Sequence, residues 1–386
     1  MTSARRTGEA EPVGTFVQRL RVRVIDRLSR LMIALPERPL VRLAEAVGLL
    51  HYAIDRERAL LVRRNMQRIT SSLAERGMGP ERVRAAATDP RALEGLVRGA
   101  FRHHMRYYVE LLRAPGIAPE DAANRMTIEN PEVLVQLRAD LARGGVLGLA
   151  LHFGAIELPA IFFAHESGRP TYAPMETNVD PALQAWLVRT RSNAGTIIVG
   201  LREAKRELSA ALAVGSTVGM IGDRDITGGG IPTPFFGAPA PLPVGIGLFL
   251  LEAHVPVYVG SCRRAGSGHY RVTLIPLAIP TEGTRRQRVE AMLRNEVEAF
   301  EQVIAQAPEQ WWATLFPIWA DLDPAAERGA AEAARHTARD ARRSRRAARR
   351  PEREVTEHEL HEPNRQEPVA RVGHDSADDH ATEDHR

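Results

Sequence analysis

Hydrophobic and polar positions recur with helical spacing through the first 115 residues. Between residues 13 and 35, apolar side chains repeat every three or four positions and arginines lie between them. The apolar set is Phe16, Val17, Leu20, Val24, Leu28, Leu31 and Met32, and the arginines are Arg19, Arg21, Arg23, Arg27 and Arg30. The pattern is typical of a basic amphipathic helix on an anionic membrane, and equally of a helix that packs its apolar side on the core. Further helices are predicted over residues 40–52, 57–69 and 91–112.

From residue 146 onward, short apolar runs alternate with helical stretches. Strands are predicted over residues 146–151, 196–199, 217–221, 255–262 and 270–275. Helices are predicted over residues 156–164, 181–192, 202–214, 245–253 and 285–306. Strands that alternate with helices predict an α/β fold, with a mostly parallel central sheet covered by helices on both faces.

The chain divides into four predicted regions. Residues 1–12 form a flexible N-terminus, residues 13–115 a helical membrane-proximal region, and residues 116–322 the α/β core. Residues 323–386 are rich in charged side chains and contain hardly any large apolar ones. They cannot bury enough surface to offset the entropy lost on ordering, so we predict a disordered tail.

Composition narrows the function classes. The 386 residues carry a formal net charge of +4, and the single cysteine, Cys262, excludes an intrachain disulfide. No apolar run is long and unbroken enough to be a transmembrane helix. No metal-ligand spacing, dinucleotide fingerprint or nucleic-acid-reading motif is found, so we expect neither a metal nor a nucleic-acid partner. We expect a peripheral protein on the cytoplasmic face of the cell membrane.

Candidate catalytic residues follow two of the predicted strands. His152 ends the first strand, with Glu157 five positions later, and Asp223 and Asp225 follow the strand over residues 217–221. Active sites of open α/β sheets favour the carboxyl ends of strands, where a histidine can act as a general base. Glu157 or one of the two aspartates can orient it. On the residues alone, a core histidine beside a charged turn stays an open alternative.

Candidate binding residues lie nearby in the sequence. Arg191, ahead of Gly195, and Arg224 between the two aspartates suit phosphate binding, although a helix C-cap explains Arg191 equally well. Phe235, Phe236 and Gly237 belong to an apolar loop rich in proline and glycine, which can line a fatty-acyl channel or form a packed connection. The pair Trp311-Trp312 suits either a membrane interface or closure of the core.

The order and spacing of these motifs resemble the bacterial late-acyltransferase family of the lysophospholipid acyltransferase superfamily. That family contains lipid A lauroyl and myristoyl transferases and the phosphatidylinositol mannoside acyltransferases of actinobacteria. The matching blocks are His152 with Glu157, Arg191 with Gly195, Asp223-Arg224-Asp225, Pro234-Phe235-Phe236-Gly237 and Pro308-Glu309-Gln310-Trp311. The similarity runs from about residue 15 to residue 322.

The resemblance implies a three-layer α/β fold and an enzyme at the inner leaflet with no bound cofactor. Acyl-CoA or acyl carrier protein would donate the acyl group, and His152 would deprotonate a sugar hydroxyl of a glycolipid. The Asp-Arg-Asp and Pro-Glu-Gln-Trp-Trp blocks look more like those of the mannoside enzymes than of the lipid A enzymes. Lipid A acylation, acylation of another lipid and an inactive membrane-surface binding protein are the alternatives.

Overall fold

The computed structural model of the chain describes residues 14–329, except 177, 178, 194, 226 and 227, together with residues 335 and 337–339. The described residues up to Gly329 form one compact unit. The predicted flexible N-terminus and most of the predicted tail lie outside the described residues.

The N-terminal part consists of helices, as the sequence pattern predicts. They are α1 (Phe16–Ala34), α2 (Glu37–Ile54), α3 (Arg56–Glu75), the short α4 (Glu81–Arg84) and α5 (Pro90–Arg113). Their starts follow from local chemistry, because the Thr15, Asp55 and Asp89 side chains accept backbone N–H bonds at the N-termini of α1, α3 and α5. Helix α5 packs against α1, α2 and α3, so it is the centre of this layer.

The strands of the second part form a seven-stranded sheet and a separate hairpin. They are β1 (Met126–Ile128), β2 (Val146–Ala150), β3 (Thr171–Met175), β4 (Thr196–Gly200), β5 (Thr217–Ile221), β6 (Ile231–Phe235), β7 (Ala238–Leu242), β8 (Val257–Arg264) and β9 (Tyr270–Pro276). The order in the large sheet is β1-β9-β8-β2-β5-β3-β4. Neighbours are parallel except β8 and β9, which confirms a mostly parallel α/β sheet.

Seven more α-helices follow α5 among the residues up to 329 that the structure describes. They are α6 (Pro119–Asn124), α7 (Pro131–Arg143), α8 (Leu158–Ser167), α9 (Pro181–Asn193), α10 (Ala204–Ala213), α11 (Val244–Ala253) and α12 (Arg285–Gln306). Side chains alternate along β8: Val257 and Val259 join one hydrophobic core, and Tyr258 and Cys262 join another. Since successive residues of a strand face opposite sides, the sheet is covered on both faces. The three-layer arrangement predicted from the resemblance is therefore confirmed.

The apolar loop predicted around residue 235 is a hairpin, β6 and β7, with one face buried and the other exposed. Its prolines suggested a loop, yet Pro232, Pro234, Pro239 and Pro241 take the exposed positions of this two-stranded ribbon. The alternate positions face inward, so the pattern is a strand pattern with proline on its outer face. Strands β1 and β3 and helices α6 and α7 are further elements that the sequence pattern did not predict.

The predicted tail begins at residue 323, but residues 324–329 are helical. Arg328 pairs with Glu57 through two hydrogen bonds of 2.6 and 2.5 Å, and the Arg64 guanidinium donates to Glu327 at 3.0 Å. These contacts attach residues 324–329 to α3. Over the ranges described above, no helix combines the length and hydrophobicity needed to cross a membrane.

Candidate active site

The register of two parallel strands places His152 beside Asp223. Val146 to Ala150 of β2 pair in step with Thr217 to Ile221 of β5, so the residues two positions beyond each strand meet. His152 Nδ1 lies 2.7 Å from Asp223 Oδ1, and the His152 backbone N–H donates to Oδ2 at 3.0 Å. Because the carboxylate accepts at Nδ1, Nε2 is the nitrogen left to accept a proton. The His152 side chain is 20% exposed.

Asp223 is a buried carboxylate with three hydrogen-bond donors. The third donor is the Trp311 indole Nε1, at 2.6 Å from Oδ2. Burial by itself raises the pKa of Asp223, but the charge and hydrogen bonds of His152, together with the Trp311 bond, outweigh it and hold the pKa below its ordinary value. Asp223 therefore stays ionised, fixes the His152 tautomer and can stabilise an imidazolium.

A tight turn after His152 is held by backbone contacts. Gly154 has φ of +59°, and a Cβ on it would lie 2.0 Å from the Cys262 carbonyl oxygen, so only glycine fits. The Gly154 N–H donates to the Gln310 carbonyl at 3.0 Å, and the Trp312 N–H donates to the His152 carbonyl at 3.0 Å. The histidine is thus anchored to β8 and to the segment around Trp312.

Aromatic rings surround the histidine. The Trp312 ring lies 4.4 Å from the His152 ring at an interplanar angle of 72°. On its other side Trp312 stacks on Tyr107, with centroids 5.6 Å apart, and His104 lies 5.9 Å away. Tyr107 is not predictable from the sequence as part of the site, because it lies on α5, far upstream of His152, and no motif marks it. The sequence pattern marks the pair Trp311-Trp312, but its contact with His152 is visible only in the structure.

Glu157 binds Arg191 instead of His152. The guanidinium donates to the two carboxyl oxygens at 3.0 and 2.8 Å, and a further Arg191 nitrogen lies 2.8 Å from Met175 Sδ. Burial lowers the pKa of Arg191, but the adjacent Glu157 charge outweighs this and raises it above its ordinary value. The two residues of the predicted blocks are therefore brought together as an ion pair, and phosphate binding by Arg191 stays a prediction.

Asp225 and Arg224 lie beside the His152–Asp223 pair but have other neighbours. Asp225 accepts the backbone N–H groups of Gly228 at 3.0 Å and Gly230 at 2.6 Å, which shapes the approach to β6. The Arg224 guanidinium lies over the Phe316 ring at 4.0 Å. Burial lowers the pKa of Arg224, and this effect is larger than that of the Asp223 charge, which raises the pKa. Of the three candidate acids, Asp223 is the one hydrogen-bonded to His152.

Phe235 and Phe236 lie in the core and not on an open channel. Their rings are buried, stack at 5.0 Å and pack on Trp311 and Trp319. The Phe236 N–H donates to Glu301 Oε1 at 2.5 Å, and Gly237 takes the second turn position with φ of +79°. These residues support the wall behind Trp311, in keeping with the packed connection, which is one of the two predicted alternatives. Direct contact with an acyl chain stays untested.

A cleft opens next to the site. Its cavity volume is about 20 Å³, it opens to solvent, and its lining includes residues 155–158 and Tyr107. Its apolar lining includes Val41, Val109, Ile117, Ile156 and Leu158, and its polar lining includes Glu37, Glu110, Arg113 and Arg125. Within the described ranges, no three His, Cys, Asp or Glu side chains are grouped as metal ligands would be.

The fold and site define an α/β protein with a histidine–aspartate pair at the carboxyl ends of adjacent strands. The family model for bacterial lipid A biosynthesis acyltransferase matches residues 27–316. The chain belongs to this family, as the resemblance predicts, and is an O-acyltransferase that acts on glycolipids.

Two curated relatives extend the comparison. The phosphatidylinositol mannoside acyltransferase of Mycobacterium tuberculosis (strain ATCC 25618 / H37Rv) is 27% identical over 262 residues, which cover 63% of this chain and 78% of the relative. The protein of the same name from Mycolicibacterium smegmatis is 24% identical over 260 residues, covering 64% of this chain and 83% of the relative.

Proposed function

We propose that this protein transfers a fatty acyl group from acyl-CoA or acyl carrier protein to a sugar hydroxyl of a phosphatidylinositol mannoside. The observation that carries the proposal is the His152–Asp223 pair, in which a buried carboxylate holds a partly exposed imidazole ring. The names of the two mycobacterial relatives support this acceptor, and the family description keeps lipid A as the alternative acceptor.

In the proposed mechanism His152 is the general base. Its Nε2 takes the proton of the sugar hydroxyl while the oxygen attacks the thioester carbonyl carbon. The buried Asp223 carboxylate stabilises the imidazolium that forms. The tetrahedral intermediate then expels the thiolate, which recovers the proton from His152, so the products are an ester and a free thiol. The protein forms no covalent bond to the acyl group.

The cleft beside Glu157 is our candidate for the acyl chain. Its apolar residues come from α2, α5, the segment after α5 and the start of α8, and its lining includes Tyr107, whose ring stacks on Trp312 beside His152. An apolar cleft with a few polar groups at one end suits a chain with a polar head. This location differs from the loop around residue 235 that the sequence suggested.

We propose that helices α1 and α2 attach the protein to the cytoplasmic face of the membrane. The apolar row predicted to face either the core or a membrane faces outward: Phe16, Val17, Leu20, Val24, Leu28 and Leu31 are exposed, and Met32 packs inward. A second exposed row, Leu43, Val47, Leu50 and Ile54, runs along α2. Apolar rows of this size next to exposed arginines suit insertion into an anionic interface.

Acyl transfer to purified phosphatidylinositol mannoside, with palmitoyl-CoA as donor, tests the catalytic proposal. His152→Ala should lower kcat/KM by roughly 10²–10⁴-fold, because the general base is removed. Asp223→Asn keeps the shape but removes the charge, and should also lower the rate. His165→Ala, at an exposed position of α8, is the matched control. Full transfer by His152→Ala would refute the proposal, and transfer to lipid A alone would replace the acceptor.

Vesicle sedimentation tests the membrane proposal. Binding to anionic vesicles should weaken with added salt and after Arg23→Glu with Arg27→Glu, because both arginines are exposed on α1. Arg206→Glu, on the exposed surface of α10, is the control. Equal partition of the double variant and the wild-type protein would contradict the electrostatic part of the proposal.

A further inference from the structure

Tyr107 of α5 lies between the histidine site and the Glu157–Arg191 pair. One side of its ring stacks on Trp312, whose own ring contacts His152 at 4.4 Å. The charges of Glu157 and Arg191 both act on its hydroxyl. Tyr107 also lines the same cleft as Ala155 and Glu157. A single side chain thus joins the three parts of the site: the base, the ion pair and the cleft.

The Tyr107 hydroxyl is an unused hydrogen-bond donor. It makes no hydrogen bond to any residue that the structure describes, and the half-buried Tyr107 side chain lines the cleft. Burial raises the pKa of Tyr107, and the Glu157 carboxylate raises it further. The phenol therefore keeps its hydrogen at neutral pH. A donor without a partner on a cleft wall suits an oxygen atom of a bound substrate.

The start of α8 reinforces the same region. Residues 155–158 of the cleft wall lead into this helix, which begins at Leu158 and spans ten residues. Glu157, at the N-cap position, gives no side-chain cap because its carboxylate is bound to Arg191. The positive end of the helix dipole is therefore directed at the cleft wall, where negative charge is stabilised.

We propose that the Tyr107 hydroxyl donates a hydrogen bond to the carbonyl oxygen of the acyl thioester and stabilises its negative charge in the tetrahedral intermediate. This inference rests on the proposed function. The phenol keeps its proton throughout, while His152 handles the proton of the attacking sugar hydroxyl. Tyr107 is then a catalytic residue, because it touches the reacting group.

The choice of the thioester over the acceptor follows from the position of Tyr107. Tyr107 lines the cleft, whose exposed lining is mainly apolar, so a thioester bound at the Tyr107 wall of the cleft lies next to the hydroxyl. A donor aimed at a developing oxyanion acts on the chemical step and not on ground-state binding. If Tyr107 stabilises the oxyanion, its loss should lower kcat. If Tyr107 instead binds the sugar, its loss should raise the KM for the glycolipid.

The test compares Tyr107→Phe with Tyr108→Phe, using palmitoyl-CoA and phosphatidylinositol mannoside. Tyr108 is the next residue on the same helix and is 46% exposed, so it is a matched control. Tyr107→Phe should lower kcat by about 10²–10³-fold. Slow hydrolysis of palmitoyl-CoA without acceptor should fall in parallel, and the KM for the glycolipid should stay nearly constant. Tyr108→Phe should behave as the wild-type protein.

Three outcomes would overturn the inference: unchanged kcat in Tyr107→Phe, a rise only in the KM of the glycolipid, or an equal loss in Tyr108→Phe. If the phenylalanine variant does not fold, 3-fluorotyrosine at position 107 is used instead, because it keeps the shape and strengthens the hydrogen-bond donor. Its kcat should equal or exceed that of the wild-type protein, and a lower kcat would overturn the inference. Failure of the proposed function gives a different result, since His152→Ala would then retain full acyl transfer.

Discussion

Replacement of Glu296 by methionine is expected to stabilise the protein, although it removes an acidic residue next to the active site. Glu296 lies on α12, is completely buried, and neither carboxyl oxygen has a hydrogen-bond partner within the described part of the chain. Its Oε1 lies 2.3 Å from the position that a Cβ of Gly222 would take, immediately before Asp223. Burial first, and then the Asp223 charge, raise the pKa of Glu296 well above its ordinary value.

The expected gain follows from the desolvation of this carboxyl group. A buried polar group without a hydrogen bond costs about 1–3 kcal/mol, and a methionine of similar length avoids that cost. Repacking of a side chain of similar volume offsets less than about 1.5 kcal/mol of it. We therefore expect Glu296→Met to raise the free energy of unfolding by about 1–2 kcal/mol at neutral pH, and to leave acyl transfer intact because Asp223 keeps its three donors.

The gain should depend on pH in a defined direction. The unfolded chain releases the Glu296 proton near pH 4.5, whereas the folded protein holds it to higher pH. The folded state then binds more protons than the unfolded state, so this group lowers stability progressively as pH rises above 4.5. The difference between Glu296→Met and the wild-type protein should therefore be smallest near pH 4.5, grow with pH and level off above the folded pKa.

Urea denaturation at several pH values between 5 and 8 measures this difference. Glu298→Met is the control, because Glu298 is exposed on the same helix and should change stability by less than about 0.5 kcal/mol. A Glu296→Met variant that is destabilised, or whose difference from the wild-type protein does not vary with pH, would refute the reasoning. Either result would mean that Glu296 is hydrogen-bonded or ionised in the folded protein.

Three further predictions concern the turn, the ion pair and the outer face of α2. Gly154→Ala should lower the free energy of unfolding by at least about 1–3 kcal/mol and remove most of the acyl transfer, because the positive φ and the Cys262 carbonyl oppose a Cβ. The control Gly95→Ala, inside α5, should have neither effect, and equal thermal melts of the two variants would contradict the prediction. Glu157→Gln should lower stability by roughly 1–3 kcal/mol in urea, since Arg191 loses its counter-charge, and an unchanged midpoint would count against it. Leu43→Ser with Leu50→Ser should reduce vesicle partition at least about tenfold while activity in detergent persists, and unchanged sedimentation would exclude α2 from the membrane contact.

The α/β class was predictable because buried parallel strands are continuous apolar runs. The runs at residues 146–151 and 217–221 are of this kind, and both are strands. The sequence pattern does not predict strand β3, because Pro174 interrupts a short and only partly apolar run. It does not predict β6 and β7 either, because their prolines are typical of a loop. In the β6–β7 ribbon the prolines face one another at exposed positions, which only the pairing of the strands reveals.

The partner of His152 was not predictable from spacing. Glu157 is nearer in sequence, but the turn at Gly154 and the start of α8 carry it to Arg191. Asp223 is 71 residues away from His152, yet β5 lies directly beside β2 in the sheet although β3 and β4 come between them in the chain. Choosing among the acids thus required the strand order, which the residues after each strand do not encode.

The segment around Trp311 shows why a block far from the histidine belongs to the same site. Phe153 and Trp311 form an antiparallel bridge, so two consecutive tryptophans lie alongside the turn that carries His152. Neighbouring residues of an extended segment point to opposite sides. Trp311 therefore reaches inward to donate to Asp223, and Trp312 lies against the His152 ring. One dipeptide holds both members of the pair, so replacing Trp311 should weaken the Asp223 hydrogen bonds, while replacing Trp312 should loosen the imidazole.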